Sequence, residues 1–369
     1  MKNFFTISLC LLLFTSCKKE FAPSQAAGSD ISSASNTMAA ISSTKATYWD
    51  SVFTRYGNGW TGGDAAISYK LPDGRVMWLW GDSFLDTVYP DRHRPIIGFI
   101  HNQMTTMNLQ GANFTTYYGG TTQNPLPYFN IKGSRYYWPN LAFMNQQKTQ
   151  VYVFLDKIKA TGAGGAFGFK VVGVDVAILN YPDLSIKEIK PFSTGSAINW
   201  VGSAWEGDDG YIYIYGAEST KYNKYARVCR TPANDPLSTV TYYNGTTWKS
   251  APEQSGRLLG GLSENFSFFS YQGKYYLLSQ ENLLGPNIYL YDAASPTGPF
   301  TNKRLVYTTP TKVDKWNVIT YNATAHPEFI TADGKLLVGY CTNEIEKGTG
   351  IWKNADTYRP YFVWVSNWQ

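Results

Sequence analysis

Two aspartates and a glutamate are the residues best placed to do chemistry. Asp64 and Asp82 bracket a short hairpin, and Glu264 opens an otherwise apolar run. Between the two aspartates lie β-prone stretches, Ala65–Lys70 and Arg75–Trp80, joined at Asp73-Gly74. Asp-Gly between β-formers predicts a hairpin, because Gly takes positive φ without steric cost. An antiparallel hairpin sets the start of its first strand beside the end of its second, so both carboxyls sit at one end. Cleavage of a glycosidic bond needs such a pair: one carboxyl protonated to donate to the leaving oxygen, one ionised as base or nucleophile. Asp64 follows two glycines, which allow close approach. A carboxylate at Glu264 needs a partner if buried.

The elements that must position these acids repeat along the chain. Turns at Gln272-Gly273, Asp333-Gly334, Asp209-Gly210 and Asn145–Thr149 each precede or join β-prone runs. An acid follows each second strand: Asp82, Asp156, Glu218, Glu281 and Glu344. From Gly74, Gly210 and Gly273 to their acids the offset is 8 residues each time (82−74, 218−210, 281−273). Five such units without intervening helical periodicity predict an all-β chain, a five-bladed β-propeller, within the usual range of about four to eight blades. First strands of blades line a channel, so their opening residues collect at one mouth. Those are Asp64, Asn140, Trp200, Glu264, and Asn322 with His326, flanked by Asp82 and Glu281. Trp60, Trp138, Trp200 and Trp205 are the expected sugar-stacking platforms. Asn140, Asn322 and His326 are expected to hydrogen-bond hydroxyls.

The remaining features bound the function class. The 369 residues hold 16% aromatic and 16% charged side chains at a net charge of +5, without a basic stripe, so nucleic acid is not an expected partner. The Thr161–Gly168 glycine loop lacks the Gly-Lys-Ser/Thr ending of a phosphate cradle, and no Cys or His spacing suggests zinc. Neither cofactor nor metal is expected, and the protein is expected to be a monomer. Met1–Cys17 has a positive start and a short apolar run, too short to span a bilayer, ending in Leu-Phe-Thr-Ser-Cys. That ending resembles a bacterial lipobox, with Cys17 as the lipidated residue. Residues 18–47, rich in Ser, Ala and Thr, read as a flexible spacer, and 48–369 as the propeller. Lipid attachment would place the domain at the outer membrane or cell surface. Cys229 and Cys341 read as buried thiols in different blades. Tyr361–Val365 is expected to complete a sheet with Tyr48–Phe53.

Thr61-Gly62-Gly63-Asp64 and Trp80-Gly81-Asp82-Ser83-Phe84 resemble the first blade of five-bladed propeller glycosidases of the arabinanase and xylosidase clan. They are closest to formerly uncharacterised domain families that include bacterial endo-D-arabinanases, where a Gly-Asp-Thr/Ser-Phe motif recurs. The resemblance implies an Asp base in blade one, matched by Asp64, an Asp that tunes pKa in blade two, and a Glu acid in blade three. Blade two offers Asn140 instead, and blade three opens Trp200-Val201-Gly202 with Glu206 only at its turn. Two functions therefore stand: a lipid-anchored glycoside hydrolase acting on a polysaccharide, with arabinofuranose a candidate sugar, and a surface glycan-binding lipoprotein without turnover. If Cys17 carries the anchor, Cys17→Ala releases the protein from the membrane fraction. Unchanged fractionation, with no acyl label on the parent, would refute the anchor.

Overall fold

The structure, a computed structural model, describes residues 39–95, 98–163, 167–193, 197–345 and 348–369. Cys17, the signal segment and most of the expected spacer lie outside them. The fold is all-β. Among the described residues, five antiparallel meanders of four or more strands follow one another. The first sheet joins Ile67–Lys70, Arg75–Trp80, Gln103–Asn108 and Thr115–Tyr117. The second joins Arg135–Met144, Gln150–Ala160, Phe169–Asn180 and Ile186–Ser193. The third begins with Ile198–Glu206, Tyr211–Ser219 and Lys224–Pro232, and the fourth runs from Phe266–Tyr271 and Lys274–Gln280 to Asn287–Ala293 and Thr301–Thr308. The fifth joins Ile319–His326, Leu336–Asn343 and Pro360–Ser366, with Ser42–Lys45 as its outer strand.

Both faces of these sheets are apolar, so each must be covered by a neighbour. Apolar cores accordingly form between consecutive sheets: Leu79 and Met104 with Val153 and Leu155, Phe154 and Val176 with Ile214, and Tyr215 and Val228 with Leu277. Leu278 and Leu290 then pack with Val338 and Val363, and Leu337 and Phe362 with Trp78 and Trp80 of the first sheet. The packing thus returns to where it began. First strands also touch in chain order, and Ile319–His326 touches Ile67–Lys70. They surround a cavity of about 600 Å³ walled by residues of all five, among them Ser68, Asn140, Ser203, Ser267 and Ala325.

Three expected boundaries move. Ala65 and Ala66 adopt φ of 73° and 53°, so the first strand starts at Ile67 instead of Ala65. Pro327–Phe329 forms a 3-10 turn, and the first strand of the fifth sheet is Ile319–His326. Thr47–Val52 is a helix, because Trp49, Val52 and Phe53 fall at helical spacing on one apolar side. The C-terminal strand pairs with Ser42–Lys45 instead, Ser42 opposite Ser366 and Lys45 opposite Val363, so part of the expected spacer is a strand of the fifth sheet.

Phe53 sits just past that helix, fully buried among Trp60, Trp78, Trp80, Phe114 and Phe362, with ring centroids 4.9–6.2 Å away. It fastens N-terminal chain to the first and fifth sheets. Phe53→Ala is expected to destabilise the fold by about 3 to 5 kcal/mol in urea unfolding; an effect under about 1 kcal/mol would mean that the helix is not part of the core.

Candidate active site

Asp64 stands where the chain leaves one small sheet for a larger one. Trp60–Gly63 pairs with Ser83–Leu85, while Ile67–Lys70 pairs with Arg75–Trp80. The left-handed Ala65 and Ala66 make that step, a conformation costly for residues with a Cβ and characteristic of functional sites. The Asp64 N–H donates to the Asp82 carbonyl (3.3 Å), and the Gly81 N–H donates to the Asp64 carbonyl (3.1 Å). The hairpin therefore brings the two acids together, as its turn implied. Tyr321 and Tyr358 donate their hydroxyls to Asp64 Oδ2 at 2.9 and 3.0 Å. Its Oδ1 lies so close to Gly81 that a Cβ there would come within 2.4 Å. Burial, then the charge of Asp82, push the Asp64 carboxyl up to about 7, against the opposing pull of the two tyrosines.

Asp82 is partly open to solvent. Its Oδ1 accepts from Trp138 Nε1 at 2.9 Å and from His101 Nδ1 at 3.0 Å, and its side chain is 25% exposed. The His101 ring stacks on Tyr136, with centroids 3.8 Å apart and planes 14° from parallel. Trp138 meets Tyr136 and Phe169 edge-on. A carboxyl pair thus lies beside an aromatic wall from the opening of the second sheet, where a sugar ring would find apolar faces and hydroxyl partners.

A second polar group lies next along the same strand. The Asn140 amide donates to its own Trp138 carbonyl (3.1 Å) and to Asp156 Oδ2 (3.0 Å), and its oxygen accepts from Asn265 (2.7 Å). Asn140 is the extra residue of a β-bulge between Pro139 and Leu141; first strands of the third and fifth sheets are also irregular, at Asn199/Ser203 and Tyr321/Thr324. Bulges re-aim side chains at strand ends. Asp156 lies within Gln150–Ala160, not beyond its strand, and burial pushes its carboxyl up to about 7, with Glu264 adding to the rise. Glu264 itself is ion-paired to Lys224 Nζ at 2.7 Å and accepts from Ser219 on the same oxygen. Glu264 thus stands beside a cation on the far side of Asn199 from Asp156, apart from the Asp64–Asp82 pair.

Several expected ligand residues are elsewhere. Trp60 and Trp200 are buried in intersheet cores, where neither can stack on a sugar. His326 is fully buried against Trp78 and held by Ser68 Oγ at 2.6 Å from Nδ1, with its pKa lowered to about 3 by burial; it is a neutral core histidine. Trp205 lines the central cavity near Glu206, at the opposite ends of those first strands. Glu281 accepts from Asn287 (3.0 Å) and braces a 3-10 turn. Asn322, at φ of 52°, occupies the bulge that directs Tyr321. Five residues of the site were not singled out as such by sequence: His101, Tyr136, Asp156, Tyr321 and Tyr358. Asp156 carried a signal as the acid of the second repeat; Tyr358, almost 300 residues from Asp64 (|i−j| = 294), carried none. Among the described residues, no group of three or more His, Cys, Asp or Glu side chains is placed to hold a metal ion.

Asp156 links this arrangement to stability. Its folded pKa is above its unfolded one, so its contribution is present below about pH 4 and lost as pH rises through about 7. Asp156→Asn should therefore leave unfolding at pH 4 nearly unchanged and stabilise the protein at pH 8, by up to about 4 kcal/mol. Equal effects at both pH values in thermal or urea unfolding would contradict the assigned cause.

No curated protein shows significant similarity in sequence to the chain. In structure it is similar to a Bacteroides ovatus protein provisionally named a hydrolase, with a TM-score of 0.73 at 20% identity, over 89% of this chain and 91% of that one. More distant are an exo-beta-1,3-galactanase from Phanerochaete chrysosporium (TM-score 0.48, 14% identity, 84% of this chain and 63% of that one) and an alpha-L-arabinofuranosidase from Clostridium thermocellum (0.44, 16%, 79% and 85%). Identities this low speak to fold and not to chemistry. A family model matches residues 46–368, and the chain belongs to that family, the domain of unknown function DUF5005.

Proposed function

We propose that the chain is a glycoside hydrolase whose active site is the Asp64–Asp82 mouth of a five-bladed β-propeller. The carrying observation is the adjacency of two carboxyls in unlike surroundings, beside an aromatic wall. Asp64, enclosed and held near neutrality, keeps the proton that must pass to the leaving oxygen. Asp82, reached by solvent and accepting two N–H donors, is the ionised base or nucleophile. The five sheets, with their cyclic packing, are the blades. The lipobox-like Leu13-Phe14-Thr15-Ser16-Cys17 supports an exported, lipid-anchored enzyme that meets a polysaccharide at the cell surface, with arabinofuranose-containing chains the first substrates to try.

Glycan recognition without turnover is the second reading. It is favoured by the third sheet, whose first strand opens Ile198-Asn199-Trp200 without an acid, and by the Lys224 pair on Glu264.

Release of reducing sugar from arabinan, xylan and related glycans, alongside calorimetric binding, separates the two. Asp64→Asn and Asp82→Asn should each cut the rate by about 10² to 10⁴ while leaving glycan binding largely intact. The parent rate should fall as pH rises through about 7, where Asp64 gives up its proton, and that limb should be absent from the residual activity of Asp64→Asn. Binding with no turnover by the parent on any glycan would replace the enzyme with a recognition module.

A further inference from the structure

We infer that the central cavity is a second saccharide site, separate from the carboxyl pair. At about 600 Å³ it is large enough for a small ligand, within the ordinary range of about 300 to 1,000 Å³. Its wall mixes small residues with bulky apolar and aromatic ones, and two of its hydroxyls have protons to give. Ser203 Oγ accepts the Phe268 N–H at 2.9 Å, and Ser267 Oγ accepts the Ala325 N–H at 2.9 Å. Each serine is thereby fixed in place as an acceptor, while its own O–H remains available to a ligand. Both are partly accessible.

Charge at the cavity is internally balanced. Glu206 is paired with Lys148 and accepts from the Tyr69 hydroxyl and the Met144 N–H. Lys70 and Glu328 also line the cavity, so its charged residues are two of each sign, and the Lys148 ammonium and Glu206 carboxylate, both part-exposed, offer donor and acceptor side by side. Trp205 adds an apolar surface. Its indole N–H is anchored on Ser270 Oγ (3.2 Å), and Tyr213 and Tyr275 hold the ring at centroid distances of 5.4 and 5.2 Å. A fixed, partly exposed indole beside paired charges and free hydroxyls suits a neutral polyhydroxylated ring, a mono- or disaccharide, better than a phosphate or a peptide.

The inference does not depend on catalysis at the mouth. The experiment is a calorimetric titration, with saturation-transfer NMR, of neutral mono- and disaccharides (arabinose, xylose, galactose, glucose and their disaccharides) into parent, Trp205→Ala, Trp205→Phe and Ser267→Val. At least one sugar should bind the parent. Trp205→Ala should weaken that binding about tenfold, the equivalent of about 1.4 kcal/mol, and Trp205→Phe should restore most of it. Ser267→Val supplies an independent test should Trp205→Ala fail to fold. Absence of binding by any sugar would overturn the inference. So would binding kept at parent strength in both Trp205→Ala and Ser267→Val, which would assign the sugar to the mouth and leave the catalytic reading standing.

Discussion

The arrangement rests on a steric constraint at Gly81. Asp64 Oδ1 occupies the space that a Cβ would need there, so any side chain at 81 would push the Asp64 carboxyl out of this position. With that contact in place, the backbone bonds between residues 64, 81 and 82 form, and Asp64 is driven against Asp82 at low exposure to water. A carboxyl so placed needs hydrogen-bond donors, because an unpaired one is expensive to bury. The rest of the ring provides them: Tyr321 from the fifth sheet, Tyr358 from the turn before the last strand, and Trp138 from the second sheet for Asp82. A local close approach therefore depends on a closed global fold.

Polar burial has a general cost in this molecule. Asp64, Asp156 and Glu328 all have carboxyls raised to about 7, chiefly by desolvation. Each favours the folded state below about pH 4 and opposes it progressively up to neutrality. Glu218 behaves in the opposite sense: Arg257 and Arg227 lower it to about 2, so its contribution is present above its unfolded value and lost only in strong acid. Aromatic packing offsets the carboxyl cost, with Trp78, Trp80, Phe53 and Phe362 forming the seam between first and fifth sheets. Asp64 and Asp156 lie toward the opening of the first strands, whereas Glu328 lies past the end of one, with Lys70 and Glu206 at the other end of the cavity.

How much of this was legible in sequence follows from range. The Asp73-Gly74 turn is a local signal, and from it the adjacency of Asp64 and Asp82 could be read directly. Repeat spacing was enough to find five sheet units. Orientation within a strand was harder. Trp60 and Trp200 occupy strand openings, but alternation and bulging turn their side chains into intersheet cores, and His326 proves to end its strand instead of opening it. Partners of Asp64 that lie more than 250 residues away cannot be found by spacing, since only ring closure brings them near. Asp156 was visible as a repeat acid, yet its place beside Asn140 required the register of a bulged strand pair.

The pairing of Ser42–Lys45 with Pro360–Ser366 makes the first described strand wait for one far along the chain. A chain emerging from a ribosome in order cannot seal its fifth sheet until Pro360–Ser366 has passed. Tyr358 arrives just ahead of that final strand, so Asp64 stays uncovered in every shorter intermediate. Closure over the carboxyl pair thus waits for Tyr358: a chain cut short before it holds both aspartates but lacks one of the hydroxyls that hold Asp64.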